Sequence, residues 1–100
     1  MFSIYLAGPD VFHPLAVEIG RTKREICSAN GLIGVYPLDN EVSLRGEPRE
    51  IARTIARLNE EAMRRCDAMI ANLTPFRGPN ADDGTAYEMG FMRALGRPIF

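Results

Sequence analysis

Glu88 and Asp82 are the residues of this chain with the clearest capacity for chemistry. They close the stretch Asn72-Leu-Thr-Pro-Phe-Arg-Gly-Pro-Asn-Ala-Asp-Asp-Gly-Thr-Ala-Tyr-Glu88, which runs from the end of an apolar segment into the start of a helical one. A loop of this length inside a compact domain is usually functional or disordered. Two carboxylates beside one bond allow a nucleophile and a proton donor to be separate groups. An ionised, partly desolvated Glu88 could attack an anomeric carbon, which is the chemistry of glycosyl transfer. The helix start favours the charged form of Glu88. Its apolar neighbours Ala86, Tyr87, Met89 and Phe91 favour the neutral form, and sequence leaves that balance open. The plainer alternative for Glu88 is a solvated helix glutamate paired with Arg93. For Asp82 or Asp83 it is an N-cap.

Other polar residues fall into two groups. Tyr5 stands in an apolar strand one residue before Ala7-Gly8-Pro9. It is either a half-buried strand tyrosine or a phenol that orients a catalytic carboxylate. Asn59 lies close to the apolar face of the longest helix, where its amide could read a nucleobase edge with both donors and an acceptor. A satisfied surface asparagine is the alternative. Asp67 precedes the third strand, at the end remote from the loops, and reads as structural. His13, the only histidine, has no metal-ligand cluster around it, so no metal site is expected. There is no Gly-rich dinucleotide fingerprint, no P-loop and no Gly-x-Ser-x-Gly elbow.

The elements that must hold these residues alternate between strand and helix. Ser3–Ala7 reads as a buried strand ended by Gly8-Pro9, and Asp10–His13 as loop. Pro14 can open a helix that Asn30-Gly31 ends. Leu32–Tyr36 is a second buried strand. Pro48–Cys66 is the longest helix, with Ile51, Ile55, Leu58, Ala62 and Met63 along one face. Ala68–Asn72 is the third strand and Gly84–Leu95 the third helix. Pro98-Ile-Phe100 opens a fourth strand. This order predicts one α/β domain over residues 1–100, doubly wound around a parallel sheet. It stops after the start of strand four, which implies a longer natural product or a partner over the exposed edge. In such sheets ligands bind outside the carboxyl ends of the strands. Here those ends lead into Gly8-Pro9, Asp39-Asn40 and the Asn72 loop.

Composition narrows the classes. The 46% apolar and 25% charged fractions are those of an ordinary globular protein. A net charge of −1 gives no footprint for a nucleic-acid polymer. No apolar run approaches a membrane span, and the N-terminus lacks a secretory pattern. Cys27 and Cys66 read as buried free thiols, so a cytoplasmic setting is expected.

Four blocks carry a resemblance: Tyr5-Leu-Ala-Gly-Pro-Asp-Val-Phe12, Tyr36-Pro-Leu-Asp-Asn40, Cys66-Asp-Ala-Met-Ile-Ala71 and Asn72–Gly90. Together they resemble the nucleoside 2-deoxyribosyltransferase family over nearly the whole chain. The most specific part is Thr74-Pro-Phe-Arg-Gly78 followed by Asp82-x-Gly-Thr-Ala-Tyr-Glu-x-Gly90. The resemblance implies a flavodoxin-like, three-layer fold and a retaining base exchange through a deoxyribosyl-Glu88 intermediate, with no cofactor. It implies that Tyr5 orients Glu88 and that Asp82 contacts the base or helps protonate it. It places Gly8, Phe12, Asp39, Asn40, Asn59, Phe76, Arg77 and Gly84 against substrate, which is a 2′-deoxynucleoside with a free nucleobase. It also implies a homo-oligomer whose subunits complete each other's pockets. Asn72 departs from the family pattern, standing where many relatives carry an acid. The competing expectations are a hydrolase of 2′-deoxynucleoside 5′-monophosphates, with Arg77 on the phosphate, and a non-catalytic nucleotide-binding module.

Overall fold

A computed structural model of the chain describes residues 1–37 and 46–100. Strand β1 is Ser3–Ala7, helix α1 Ala16–Ala29, β2 Ile33–Val35, α2 Pro48–Arg65, β3 Ala68–Ala71 and α3 Asp83–Ala94. The sheet order is β2-β1-β3, with both pairings parallel. Ile99 extends it by a parallel bridge to Met69, beginning a fourth position beside β3.

Alternation along β1 divides the core into two layers, because successive side chains of a strand point to opposite faces. Tyr5 and Ala7 join Met69 of β3, Ala62, Met63 and Cys66 at the end of α2, and Met92 of α3. Ile4 and Leu6 join Ala68, Tyr36 and Cys27 of α1 on the other face. The result is a helix–sheet–helix sandwich of the expected α/β class. Cys27 and Cys66 are free, buried thiols on opposite faces.

Local sequence explains most boundaries. Pro48 stands at the first turn of α2, where its missing N–H costs nothing. Gly31 and Gly96 take φ of 74° just beyond α1 and α3, a left-handed conformation that glycine tolerates best. Asp67 receives the backbone N–H of Ser3 at 2.8 Å and its hydroxyl at 3.2 Å, tying the entry of β3 to that of β1.

Four expectations are corrected. The residues after Gly8 form a 3-10 turn over Pro9–Phe12 rather than plain loop, and α1 starts at Ala16 rather than Pro14. His13 Nδ1 accepts from the Leu15 N–H ahead of α1. Strand β2 is not buried: it is an edge strand, and Ile33 is 45% exposed. The apolar stripe of α2 is core only at Ala62 and Met63, while Ile55 remains exposed because its end of the helix borders a cleft.

Tyr36 lies flat against α1 at Gly20. A Cβ built on Gly20 would overlap the ring carbons of Tyr36. Gly20→Ala is expected to destabilise the fold by about 1–3 kcal/mol through overpacking, read as a lower urea midpoint with an unchanged m-value.

Candidate active site

Glu88 lies in the second turn of α3, which is the helix that the Asn72 loop feeds. That helix begins where Asp82 caps it: Asp82 Oδ2 accepts from the Thr85 backbone N–H at 3.0 Å and the Thr85 hydroxyl at 3.1 Å. Of the two aspartates that could cap α3, Asp82 is therefore the one that does so. Asp83 is an exposed first-turn residue, and Asp82 holds the cap while also bordering the cleft.

The fixed cap sets the phase of α3 and aims Glu88 at the sheet. There Tyr5, fully buried in β1, donates its hydroxyl to Glu88 Oε2 at 2.6 Å. That length is typical of a hydroxyl bound to an ionised carboxylate. Burial pushes the Glu88 carboxyl above its ordinary value, Tyr5 pulls it back, and the Asp82 charge adds to the rise, so the net shift is upward. Burial also pushes the Tyr5 phenol far up, helped by the charge and hydrogen bond of Glu88, so Tyr5 stays a proton donor. Desolvation thus prevails over the hydrogen bond from Tyr5.

Glu88 and Asp82 face a cleft of about 460 Å³ between α2, α3 and the carboxyl end of β1. Gly8 and Phe12 line it from the turn after β1, and Gly84 and Tyr87 from α3. Asn59 lines it from α2, in a stripe with Ala52, Ile55, Ala56, Glu60 and Met63. Val11 and Pro37 complete the lining. At the mouth Tyr87 donates to Glu60 at 2.7 Å, linking α3 to α2. Phe76 and Arg77 do not line the cleft; they stand behind its Phe12 wall. Phe76 stacks on Phe12 with ring centroids 5.0 Å apart, and the Arg77 guanidinium lies 4.7 Å from the Phe76 centroid. Asp39 and Asn40 fall outside the described residues.

Sequence reasoning named Asn59 but missed the rest of its stripe. The signal was present, since 52, 55, 56, 59, 60 and 63 follow helical spacing. It was read only as a core-facing surface. The pairing of Glu60 with Tyr87 carried no signal, because it joins two helices far apart in sequence. Among the described residues, no group of three or more His, Cys, Asp or Glu could hold a metal ion. No described helix is long and apolar enough to cross a membrane.

The sequence model of the nucleoside 2-deoxyribosyltransferase family matches residues 4–100. The chain belongs to this family. A 2-deoxyribosyltransferase from Leishmania mexicana superposes with a TM-score of 0.77 at 35% identity, covering 100% of this chain and 63% of that one. A 2-deoxyribosyltransferase from Bacillus psychrosaccharolyticus gives a TM-score of 0.74 at 23% identity over 97% of this chain and 69% of its own, a likeness of fold. An uncharacterized protein of Schizosaccharomyces pombe is 42% identical, across 96% of this chain. The chain spans 47% of that relative's length.

The electrostatics of the site can be tested without substrate. Carboxyl NMR titration should place Glu88 above an ordinary glutamate. Tyr5→Phe should move it further up, and Asp82→Asn should move it down while keeping a capable N-cap. A carboxyl raised in the folded state ionises first in the unfolded chain, so folding stability falls as pH climbs from the ordinary value to the raised one. Glu88→Gln should remove that loss, seen as a gain over the wild type in the urea midpoint above this window.

Proposed function

We propose that this chain carries the nucleophile of a nucleoside 2-deoxyribosyltransferase and exchanges bases on 2′-deoxyribose with retention. The observation behind the proposal is the hydrogen bond from buried Tyr5 to Glu88 at the wall of an open cleft. A carboxylate that is dehydrated yet held by one strong donor is reactive and correctly aimed.

In the first step a Glu88 oxygen attacks C1′ of a bound 2′-deoxynucleoside. The C1′–N bond breaks, its electron pair goes to the departing base, and a deoxyribosyl ester forms on Glu88. Tyr5 keeps its proton throughout and fixes the other carboxylate oxygen. Asp82, whose Oδ2 is engaged by Thr85, turns Oδ1 to the base and assists proton exchange there. Asn59 pairs with the base edge, and Phe12 covers its face. A second base then attacks C1′ from the side the first one left. The ester bond breaks and the Glu88 carboxylate is restored, so the two half-reactions balance with no cofactor. The substrates are thus a 2′-deoxynucleoside and a free nucleobase, as in nucleotide salvage. We further propose that copies of the protein assemble with shared clefts, as the rims formed by Phe12 and Tyr87 are 54% and 58% exposed.

Incubation with 2′-deoxyinosine or thymidine should add one deoxyribosyl mass to the intact protein, mapped by digestion to the Glu88 peptide. Glu88→Gln should form no adduct and lose more than about 10³-fold in base exchange, as expected when a nucleophile is deleted. Release of free sugar with no exchange in the presence of acceptor base would favour a hydrolase instead. Ligand binding with no turnover in wild type would leave only a binding module.

A further inference from the structure

One side chain joins the two loops that form the phenylalanine wall of the cleft. Asn72 directly follows β3. Its Nδ2 donates to both carboxylate oxygens of Asp10, at 3.3 and 3.2 Å, in the 3-10 turn after β1. Its Oδ1 accepts from the Thr74 backbone N–H at 3.0 Å and the Thr74 hydroxyl at 2.6 Å. Lys23 of α1 holds Asp10 from a third side, at 2.6 Å. The packing is tight: a Cβ on Gly8 would come within 2.7 Å of the Asn72 Cβ. Beyond this link the same two loops meet again, where Phe12 stacks on Phe76 at an interplanar angle of 17° and Arg77 lies over both rings.

The chemistry of the link specifies an amide. An ionised carboxylate only accepts and a backbone N–H only donates, so the group between them must donate on one side and accept on the other. Asparagine does both, whereas aspartate would serve Thr74 and repel Asp10. Burial pushes the Asp10 carboxyl upward, but the hydrogen bonds from Lys23 and Asn72 outweigh it and hold the carboxyl below its ordinary value. Asp10 therefore offers Asn72 a charged acceptor. Phe12 is two residues beyond Asp10 and Phe76 is two beyond Thr74, so the link sets the separation of the two rings.

We propose that Asn72 is a positioning residue: without touching substrate, it bridges Asp10 to Thr74 and so holds Phe76 behind Phe12, the ring against which the cleft holds a planar base. The effect on substrate rests on the reading of the cleft given above; the effect on the wall does not. Asn72→Asp keeps the Thr74 contacts and breaks the Asp10 side. Pairing it with Asp10→Asn restores one donor and one acceptor in exchanged places, still with an acceptor for Lys23.

The test has two arms on the full chain. In the first, N72D should raise KM for 2′-deoxyinosine by about 10-fold, the scale of one lost charge-assisted link, with kcat little changed. D10N/N72D should recover most of that loss. An unchanged KM in N72D, a fall confined to kcat, or a double variant no better than the single one would overturn the proposal. In the second arm no substrate is used. Phe76→Trp provides a single tryptophan, since the chain has none. Its emission should shift to the red when N72D is added and return when D10N is added as well. An emission that ignores N72D would refute the wall-positioning role even if the protein turns over no nucleoside. If N72D does not fold, recovery of folded protein in D10N/N72D supports the bridge, and failure to recover counts against it.

Discussion

The hydrogen bond from Tyr5 to Glu88 is the contact to which the other features of this molecule lead. It places a carboxylate against the core, where solvation is lost and the charged form is costly. A phenol buried in the central strand answers that cost with one short bond of 2.6 Å. The pairing needs a parallel sheet to set β1 under α3, and a helix whose start is fixed so that its second turn faces inward. Asp82 meets the second need by capping α3 through Thr85, itself buried to 1% exposure. The same carboxylate raises the pKa of Glu88 through its charge. One residue thus sets both the aim of its neighbour and part of its electrostatics.

The surrounding fold converts that pair into a site. β1 lies between β2 and β3, so the loops after β1 and β3 emerge side by side. α2 contributes small and aliphatic side chains, with Asn59 and Glu60 among them, to the opposite wall. Its last turns, at Ala62 and Met63, are buried and anchor it to the core. Its earlier turns are left open to a ligand. A helix divided in this way is buried at one end and lines the cleft along the other.

Among the described residues, side-chain hydrogen bonds tie the strands and their loops at both ends of the sheet. At one end Asp67 ties Ser3, and burial is slight. At the other end Tyr5, Glu88, Asp10, Lys23 and Asn72 are arranged in two neighbouring networks. Loops at a sheet edge hold their geometry only if their polar groups are satisfied. The amide at position 72 illustrates this: it is the residue type that can face a carboxylate on one side and a backbone donor on the other.

The sequence by itself determined the order of the elements, their boundaries to within a few residues, and the edge of the sheet at which loops would gather. Those properties follow from local causes: apolar periodicity, proline at helix starts, glycine beyond helix ends, and carboxylates before an apolar helix. It also offered Glu88, Tyr5 and Asp82 as candidates, each beside a plainer structural reading, and only the family resemblance favoured the catalytic one. Tertiary structure decided which of Asp82 and Asp83 caps α3, since both can serve as caps and only packing sets the helix phase. It decided that the stripe from Ala52 to Met63 is half cleft and half core, a distinction absent from helical period alone. It brought Tyr5 to Glu88 across 83 positions and Asn72 to Asp10 across 62. Pairings at such separation are set by chain topology, and no local pattern records them.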